Sequence, residues 1–434
     1  MNVSVIFKEF CENLKIKNKD DISTKYKNIT LKLNESHWDK SSKFEHSLQI
    51  GSIGRRTAID GISDLDMLFE IPKEIYDKFN AYATNGQSAL LQDVKNKLLE
   101  RYPKTDVSGD GQVVVVKFQT VKVEVLPAYP KDDNSYYFPD SNNGGSWKIT
   151  KPRPEITAIN ELNKEKNSNL KPLCQMIRAW KNKQGLNMSG LLIDTFCYNF
   201  LNSNKDYDSK SFLYYDWMVR DFFEYIKELD EDQEYWLAPG SSQYVYKKDK
   251  FVKKAEKTYN AILVAIDKND KKNVNKKWRK IFGTSFPSNQ KEDKDFLIEK
   301  AASYGEITYN EQFIEDLFPV DISQSLVIDC LVTQDGFRKG LLRSMPFLKT
   351  NKKLRFFIVK NSVEKPYQVK WKIRNVGELA YKRNCIRGEI IDDKGNEYRN
   401  ETSNFAGEHF VECYIIKDEV CVAMDKIDVP ISRM

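Results

Sequence analysis

The chain has 434 residues, 40% of them apolar and 30% charged, with a net charge of +6 at pH 7, a balance that suits two to four globular domains with real cores. No apolar run approaches the roughly 18 to 20 residues that cross a bilayer, and MNVSVIFKEF meets the acid Glu9 before any signal-like core is complete, so a cytoplasmic location without membrane contact is expected. Cys11, Cys174, Cys197, Cys330, Cys385, Cys413 and Cys421 lie scattered without a CxxC pair, and the only histidines are His37, His46 and His409. A disulfide framework, a His/Cys zinc site and a histidine relay are thereby excluded, and carboxylates are left to carry any chemistry.

In chain order, residues 2–33 read as one scaffold helix or a pair, with Val5, Phe7, Phe10 and Leu14 at near-helical spacing and a polar break at Asn18-Lys19-Asp20-Asp21. A short strand leads into Gly51-Ser52, and Asp64-Leu65-Asp66-Met67-Leu68-Phe69-Glu70 is a strand that Ile71-Pro72 ends. A helix over about 87–101 follows, then two strands, Val113–Phe118 and Val121–Leu126. Phe138–Trp147 (FPDSNNGGSW) has the composition of a loop, and Pro152 and Pro154 extend that boundary. From about Glu155 to Phe282 the periodicity is mainly helical, with a helix starting near Pro172, a Lys/Asn-rich exposed stretch over 268–280 and a linker over 287–293. From about Glu306 the pattern turns to strands. In Tyr367–Asn375 apolar and basic residues alternate, which places Tyr367, Val369, Trp371 and Ile373 inward and Lys370, Lys372 and Arg374 outward; with Leu354–Val359, Val411–Ile416 and Val420–Met424 this predicts a β-sandwich. The expected domains are 1–150, 151–300 and 305–434.

Asp64 and Asp66 raise the sharpest question, since a strand places residues i and i+2 on one face and sets the two acids side by side. Such like charges repel unless a cation or proton intervenes, and oxygen donors without histidine or thiolate favour Mg²⁺ or Mn²⁺. Glu124, in the apolar strand VKVEVLP, is the best third ligand, and three carboxylates on neighbouring strands suit two metal ions. Gly51-Ser52 at a strand-to-helix turn suits phosphate, through free amides and a hydroxyl. Each of these alone has a bland reading as turn or solvated surface; together, in this order, they point to nucleotide chemistry.

This set resembles the polymerase-β-type nucleotidyltransferases. More narrowly, Gly51-Ser52-x-x-x-Arg56-Thr57-Ala58-Ile59 and Ser63-Asp64-Leu65-Asp66 resemble the bacterial cGAS/DncV-like nucleotidyltransferases (CD-NTases, SMODS type), second-messenger oligonucleotide synthetases of phage defence. Arg178-Ala179-Trp180-Lys181 and Met188-Ser189-Gly190-Leu191-Leu192-Ile193-Asp194 are similar to their second lobe. Phe313–Asp321, Trp371–Gly377, Arg387-Gly388-Glu389, Gly407–Tyr414 and Cys421-Val422-Ala423 resemble the AGS-C sensor domain often attached to them.

The resemblance implies an α/β polymerase-β-like core, a helical second lobe and an all-β C-terminal domain. It also implies Asp64, Asp66 and Glu124 as catalytic ligands of two Mg²⁺ or Mn²⁺ ions, and Gly51, Ser52, Lys181 and, more weakly, Ser189 as nucleotide contacts. The expected activity joins NTPs into a cyclic di- or trinucleotide read by a separate effector protein. A transferase acting on an RNA end or a protein is the alternative. Two departures stand out: the third acid is Glu124 rather than the commoner aspartate, and Gly190 stands where several relatives carry an aromatic. From Lys339 to Gly388 fourteen Lys/Arg meet two Glu, whereas Glu389 to Met434 carries eleven acids and five bases. The basic run is either the wet side of a sheet or a landing surface for RNA or another polyanion.

Overall fold

The computed structural model describes residues 3–61, 64–267, 274–288, 312–334, 339–345, 347–375, 380, 387–404 and 406–431. Ser63, the 268–273 part of the Lys/Asn-rich stretch, most of the 287–293 linker and Val376-Gly377 lie outside them. The chain divides into two compact units, Met1–Ile298 and Glu299–Met434.

In the first unit α1 (Val3–Leu14) and α2 (Lys19–His37) precede β1 (Ser47–Gln49), the one-turn α3 (Gly51–Gly54) and β2 (Leu65–Glu70). Next come α4 (Lys73–Asn80), α5 (Gly86–Arg101), β3 (Asp106–Asp110), β4 (Val113–Lys117), β5 (Lys122–Pro130), β6 (Tyr136–Asp140) and β7 (Ser146–Thr150). The sheet runs β1-β2-β5-β4-β3, with β6 and β7 continuing from the end of β5. β2 and β5 are parallel, whereas β1–β2, β3–β4 and β4–β5 are antiparallel.

Period two divides this sheet chemically. Leu65, Met67, Phe69, Val114, Val116, Val123 and Val125 point to the face that buries Ile29 and Leu33 of α2 and Leu90, Val94 and Leu98 of α5. On the other face Leu68, Leu126 and Ala128 form a smaller core with Leu48, Tyr136 and Ile156. Asp66 and Glu124 share that second face, one pleat before the apolar residues begin. Helices on one side thus leave the other side of the central strands open for chemistry.

The segment expected as a loop is a hairpin. Tyr136 pairs with Thr150 and Pro139 with Trp147, around a turn in which Asn143, Gly144 and Gly145 all have positive φ. Turn composition is confined to five residues, and the flanking Tyr136, Phe138 and Trp147 are strand formers.

The remaining α-helices among the described residues of this unit are α6 (Pro152–Glu165), α7 (Leu170–Gln184), α8 (Gly190–Ser203), α9 (Tyr215–Lys227), α10 (Val252–Asp267) and α11 (Val274–Phe282), interrupted by a short hairpin of β8 (Tyr235–Leu237) and β9 (Tyr244–Tyr246). Pro152 begins α6 rather than a connection, as suits a residue with fixed φ and no N–H. α1 joins this second core: Phe7 meets Trp278 edge-on with ring centres 5.2 Å apart, and Phe10 lies 5.0 Å from Phe282.

Among its described residues the second unit holds a pair of four-stranded antiparallel sheets. One runs β11 (Gly340–Leu341), β10 (Leu326–Thr333), β12 (Lys353–Asn361), β15 (Tyr398–Thr402); the other runs β14 (Ile390–Asp392), β13 (Gln368–Arg374), β16 (Gly407–Lys417), β17 (Val420–Ile431). Ile328, Cys330, Leu354 and Phe356 from one sheet meet Trp371, Val411, Cys413, Ile415 and Ala423 from the other in one core. Trp371 is core, as the alternation predicts. Lys372 points away from the sandwich but is 2% exposed, a correction to the expected wet face. Its ammonium lies 3.4 Å from Glu412 and over the rings of Phe313 and Phe410, so the outer face of β13 is covered at this position.

Candidate active site

β1 ends at Gln49, and the chain turns at once into α3, beside Asp66: Ile50 N–H donates to the Asp66 carbonyl at 2.9 Å. Gly51 has φ +63°, and a Cβ there would run into the Asp66 carboxylate, 2.8 Å from its Cγ. Only glycine lets the turn approach the acid so closely. The amides of Gly51, Ser52 and Ile53 precede the first bond of the turn, Gly54 N–H to Ile50 O at 3.0 Å, and so point out of its open end. The Ser52 carbonyl is engaged by the amides of Thr57 and Ala58, which pins the loop that follows.

Parallel pairing sets Asp66 directly against Glu124. Burial raises the Asp66 acid from 3.8 to about 7, and the Glu124 charge adds to the shift. Asp64 lies just before β2. Lys122, two residues before Glu124 and on the same face, reaches Asp64 Oδ2 at 2.6 Å and Glu124 Oε1 at 2.8 Å. Its hydrogen bonds to Asp64 and Glu124 keep the ammonium charged well beyond the ordinary lysine range.

Among the described residues no three acid, histidine or cysteine side chains converge into a ready-made chelating group. The donor chemistry nevertheless fits a hard divalent cation. Three carboxylates lie near enough to act on one another with no soft ligand among them: Asp66, driven toward its neutral form by burial and by the charges of Glu124 and Asp64, and the other two, which an ammonium bridges. The structure therefore brings together Asp64, Asp66, Glu124 and Gly51, with Ser52 beside them.

Lys181 lies in the last turn of α7, half-buried, and Ser189 caps α8, its Oγ accepting the Leu192 N–H at 3.2 Å. Two residues that sequence reasoning left aside explain how these helices are tied to the turn. Arg55, at the end of α3, donates Nε to Asp194 Oδ2 at 2.8 Å and Nη1 to Glu155 Oε2 at 3.2 Å. Asp194, with no exposed surface, also receives both Nη groups of Arg178, at 2.6 and 2.9 Å, and Thr57 Oγ1 at 3.0 Å. Burial alone would raise the Asp194 acid, but Arg178 and Arg55 hold it below the ordinary carboxylate range. Ser241 completes the set by donating to Glu155 at 3.0 Å. The signal was one charge in each of two apolar helices, Arg178 in CQMIRAW and Asp194 in LLIDTF. Gly190 belongs here too: a Cβ on it would stand 3.1 Å from Arg178 Nη2, which already donates to the Gly190 carbonyl at 3.0 Å.

A mixed sheet carrying opposed acids beside a glycine turn, closed by a helical lobe, is the fold of the polymerase-β-type nucleotidyltransferases. Residues 1–163 match the family model of the Second Messenger Oligonucleotide or Dinucleotide Synthetase domain. Residues 308–432 match the Adenylyl/Guanylyl and SMODS C-terminal sensor domain. The two matched segments make this chain similar to the cGAS/DncV-like nucleotidyltransferases that carry this sensor domain. Among curated relatives, a cyclic AMP-AMP-AMP synthase of Acinetobacter sp. (strain ATCC 27244 / 9458) is 21% identical over 262 residues, covering 58% of this chain and 75% of that one. Among solved structures, E. coli MS115-1 CdnC with ATP is 16% identical with a TM-score of 0.52, over 66% of this chain and 99% of that one. The same enzyme in a CdnC:HORMA-deltaN complex gives 18% and 0.51, over 66% and 98%. At these identities the two structures share the fold with this chain and nothing finer.

Proposed function

We propose that this enzyme joins NTPs into a cyclic di- or trinucleotide with release of pyrophosphate, in the cytoplasm of a bacterium, as the signal of an anti-phage response. The observation that carries the reading is the register of Asp66 against Glu124 beside the close turn at Gly51. The synthetase family match and the cyclic AMP-AMP-AMP synthase relative support the product class. The proposed division of labour is a catalytic core over 1–150, a helical nucleotide-binding lobe over 151–300 and a sensor over 305–434.

Asp64, Asp66 and Glu124 hold two Mg²⁺ or Mn²⁺ ions in this reading. Those ions supply charge neutralisation at the triphosphate and a lowered pKa for the attacking ribose hydroxyl. Gly51 and Ser52 receive the triphosphate on outward amides and the seryl hydroxyl. Lys181 adds a positive contact from α7, and the Ser189 hydroxyl, whose oxygen caps α8, keeps its hydrogen to donate. Asp194, Arg55 and Arg178 fix these helices to the turn, so both sides of the cleft meet one nucleotide.

Of the basic residues in the C-terminal unit, Arg343, Lys372 and Arg387 pair with Asp425, Glu412 and Glu401 of the acidic segment that follows. Part of the charge asymmetry is thus satisfied within the unit, which favours the plain-surface reading; a polyanion such as RNA would use what is left. A separate effector protein reads the product.

The test is incubation of the full chain with α-labelled ATP, GTP, CTP and UTP and Mg²⁺ or Mn²⁺, followed by phosphatase, beside an Asp64→Asn control. A discrete phosphatase-resistant product absent from the control is expected. Length-distributed products that appear only when RNA is added would replace this reading with transfer to a macromolecular acceptor.

A further inference from the structure

Lys122 has no place in the chemistry above, yet it makes the closest contacts among the acids. It sits on the Glu124 face of β5, where parallel register sets Leu65 against Val123 and so carries Lys122 to the level of Asp64. Its ammonium reaches both carboxylates, at 2.6 and 2.8 Å, while the side chain keeps 36% of its surface exposed.

An ammonium is a compact point charge with three donors on a flexible stem, so it can bridge two carboxylates in no fixed plane and can also swing away without moving the strand. A guanidinium locked in a fork could not leave so easily. Three acids without a cation repel one another; with Lys122 in place one positive charge is shared between two of them and Asp64 is tethered to β5. Asp66 is left outside these contacts.

We propose that Lys122 is the resident counter-ion of the acid cluster, occupying the space between Asp64 and Glu124 where a divalent cation enters, and that it swings out to solvent when the cation binds. The inference rests on the reading of Asp64, Asp66 and Glu124 as metal ligands. Metal affinity is then the outcome of a competition, set lower than three carboxylates alone would give. The site stays assembled between turnovers, and the enzyme loads only when the free divalent ion, brought with its nucleotide, outcompetes the ammonium.

The experiment measures Mn²⁺ binding to the full-length, nucleotide-free protein by calorimetry, for wild type, Lys122→Met, Lys122→Arg and Asp66→Asn. Removing one competing charge from a partly exposed pair should tighten Mn²⁺ about five- to tenfold in Lys122→Met. Lys122→Arg, which keeps the charge, should bind no tighter than wild type. Unchanged or weaker affinity in Lys122→Met overturns the proposal. Loss of Mn²⁺ binding in Asp66→Asn keeps the ligand reading intact whatever Lys122 does, whereas wild-type binding in Asp66→Asn removes the ligand reading itself. A second readout needs no substitution: amine acetylation of the wild-type protein followed by mass spectrometry. Lys122 should be labelled slowly in EDTA and faster with Mn²⁺; equal labelling overturns the proposal.

Discussion

At Asp66, burial and the Glu124 charge both favour the neutral acid. The value in the folded protein, about 7, lies above the ordinary 3.8, so the folded chain binds more protons than the unfolded one in between. Stability of metal-free protein should therefore fall as pH rises from about 4 to about 7 and level off above. Asp66→Asn should flatten that slope and, at pH 8 in EDTA, raise stability by roughly 1–2 kcal/mol, read as a higher urea midpoint. The same variant should lose product formation by at least about a hundredfold, the upper end of what removing a mere supporting group costs a metal site. Gly51 is bound to Asp66 by space rather than by charge. Gly51→Ala should cost about 1–2 kcal/mol and most of the activity. Gly61→Ala, also at positive φ (+76°) but with open space around its Cβ, should carry the backbone cost alone. Urea midpoints of the two variants separate the collision with Asp66 from the backbone cost.

Among the elements, α7 and α8 owe their placement to one carboxylate. Asp194 has no exposed surface and its partners Arg55 and Arg178 are nearly as buried, so removing its charge takes the carboxylate from Arg178 and leaves Arg55 with Glu155 alone. Asp194→Asn should lower stability by about 3–5 kcal/mol, whereas Asp194→Leu combined with Arg178→Met, which removes a charge of each sign, should recover part of that loss in thermal unfolding. Local pattern gave only the lone charge in each of two apolar helices, Arg178 and Asp194, and not that the two meet. The β6–β7 hairpin was missed for a related reason. Composition marked a loop over Phe138–Trp147, of which only the central five residues form the turn, and said nothing of the pairing on either side. In β13 the alternation gave the right face for Lys372, and only a second layer, Phe313 and Phe410, decided that this face is covered.

On the scale of the whole molecule, each unit carries its own cores, around Trp180, Trp278 and Phe69 in the first and Trp371 in the second. Two calorimetric transitions are expected. Trp371→Ala, which empties a site 1% exposed and removes the hydrogen bond to Asp393 at 3.0 Å, should cost about 3–5 kcal/mol and lower only one transition. Asp194→Asn should lower only the other, and a substitution that shifts both equally would show that the units unfold together.

The sequence by itself determined which residues are candidates for the chemistry. Two acids at strand spacing, a third acid in an apolar strand and a Gly-Ser turn are local facts, written in residues a few positions apart, as are the helical and strand periods that gave the fold class. Tertiary structure alone decided that β2 pairs in parallel with β5 and so sets Asp66 against Glu124, that Lys122 lies between Asp64 and Glu124, and that Asp194 gathers Arg55 and Arg178. Periodicity reports the face a side chain takes on its own element. Which distant element meets that face is settled by core packing and hydrogen-bond register, and these act between residues that no window along the chain contains.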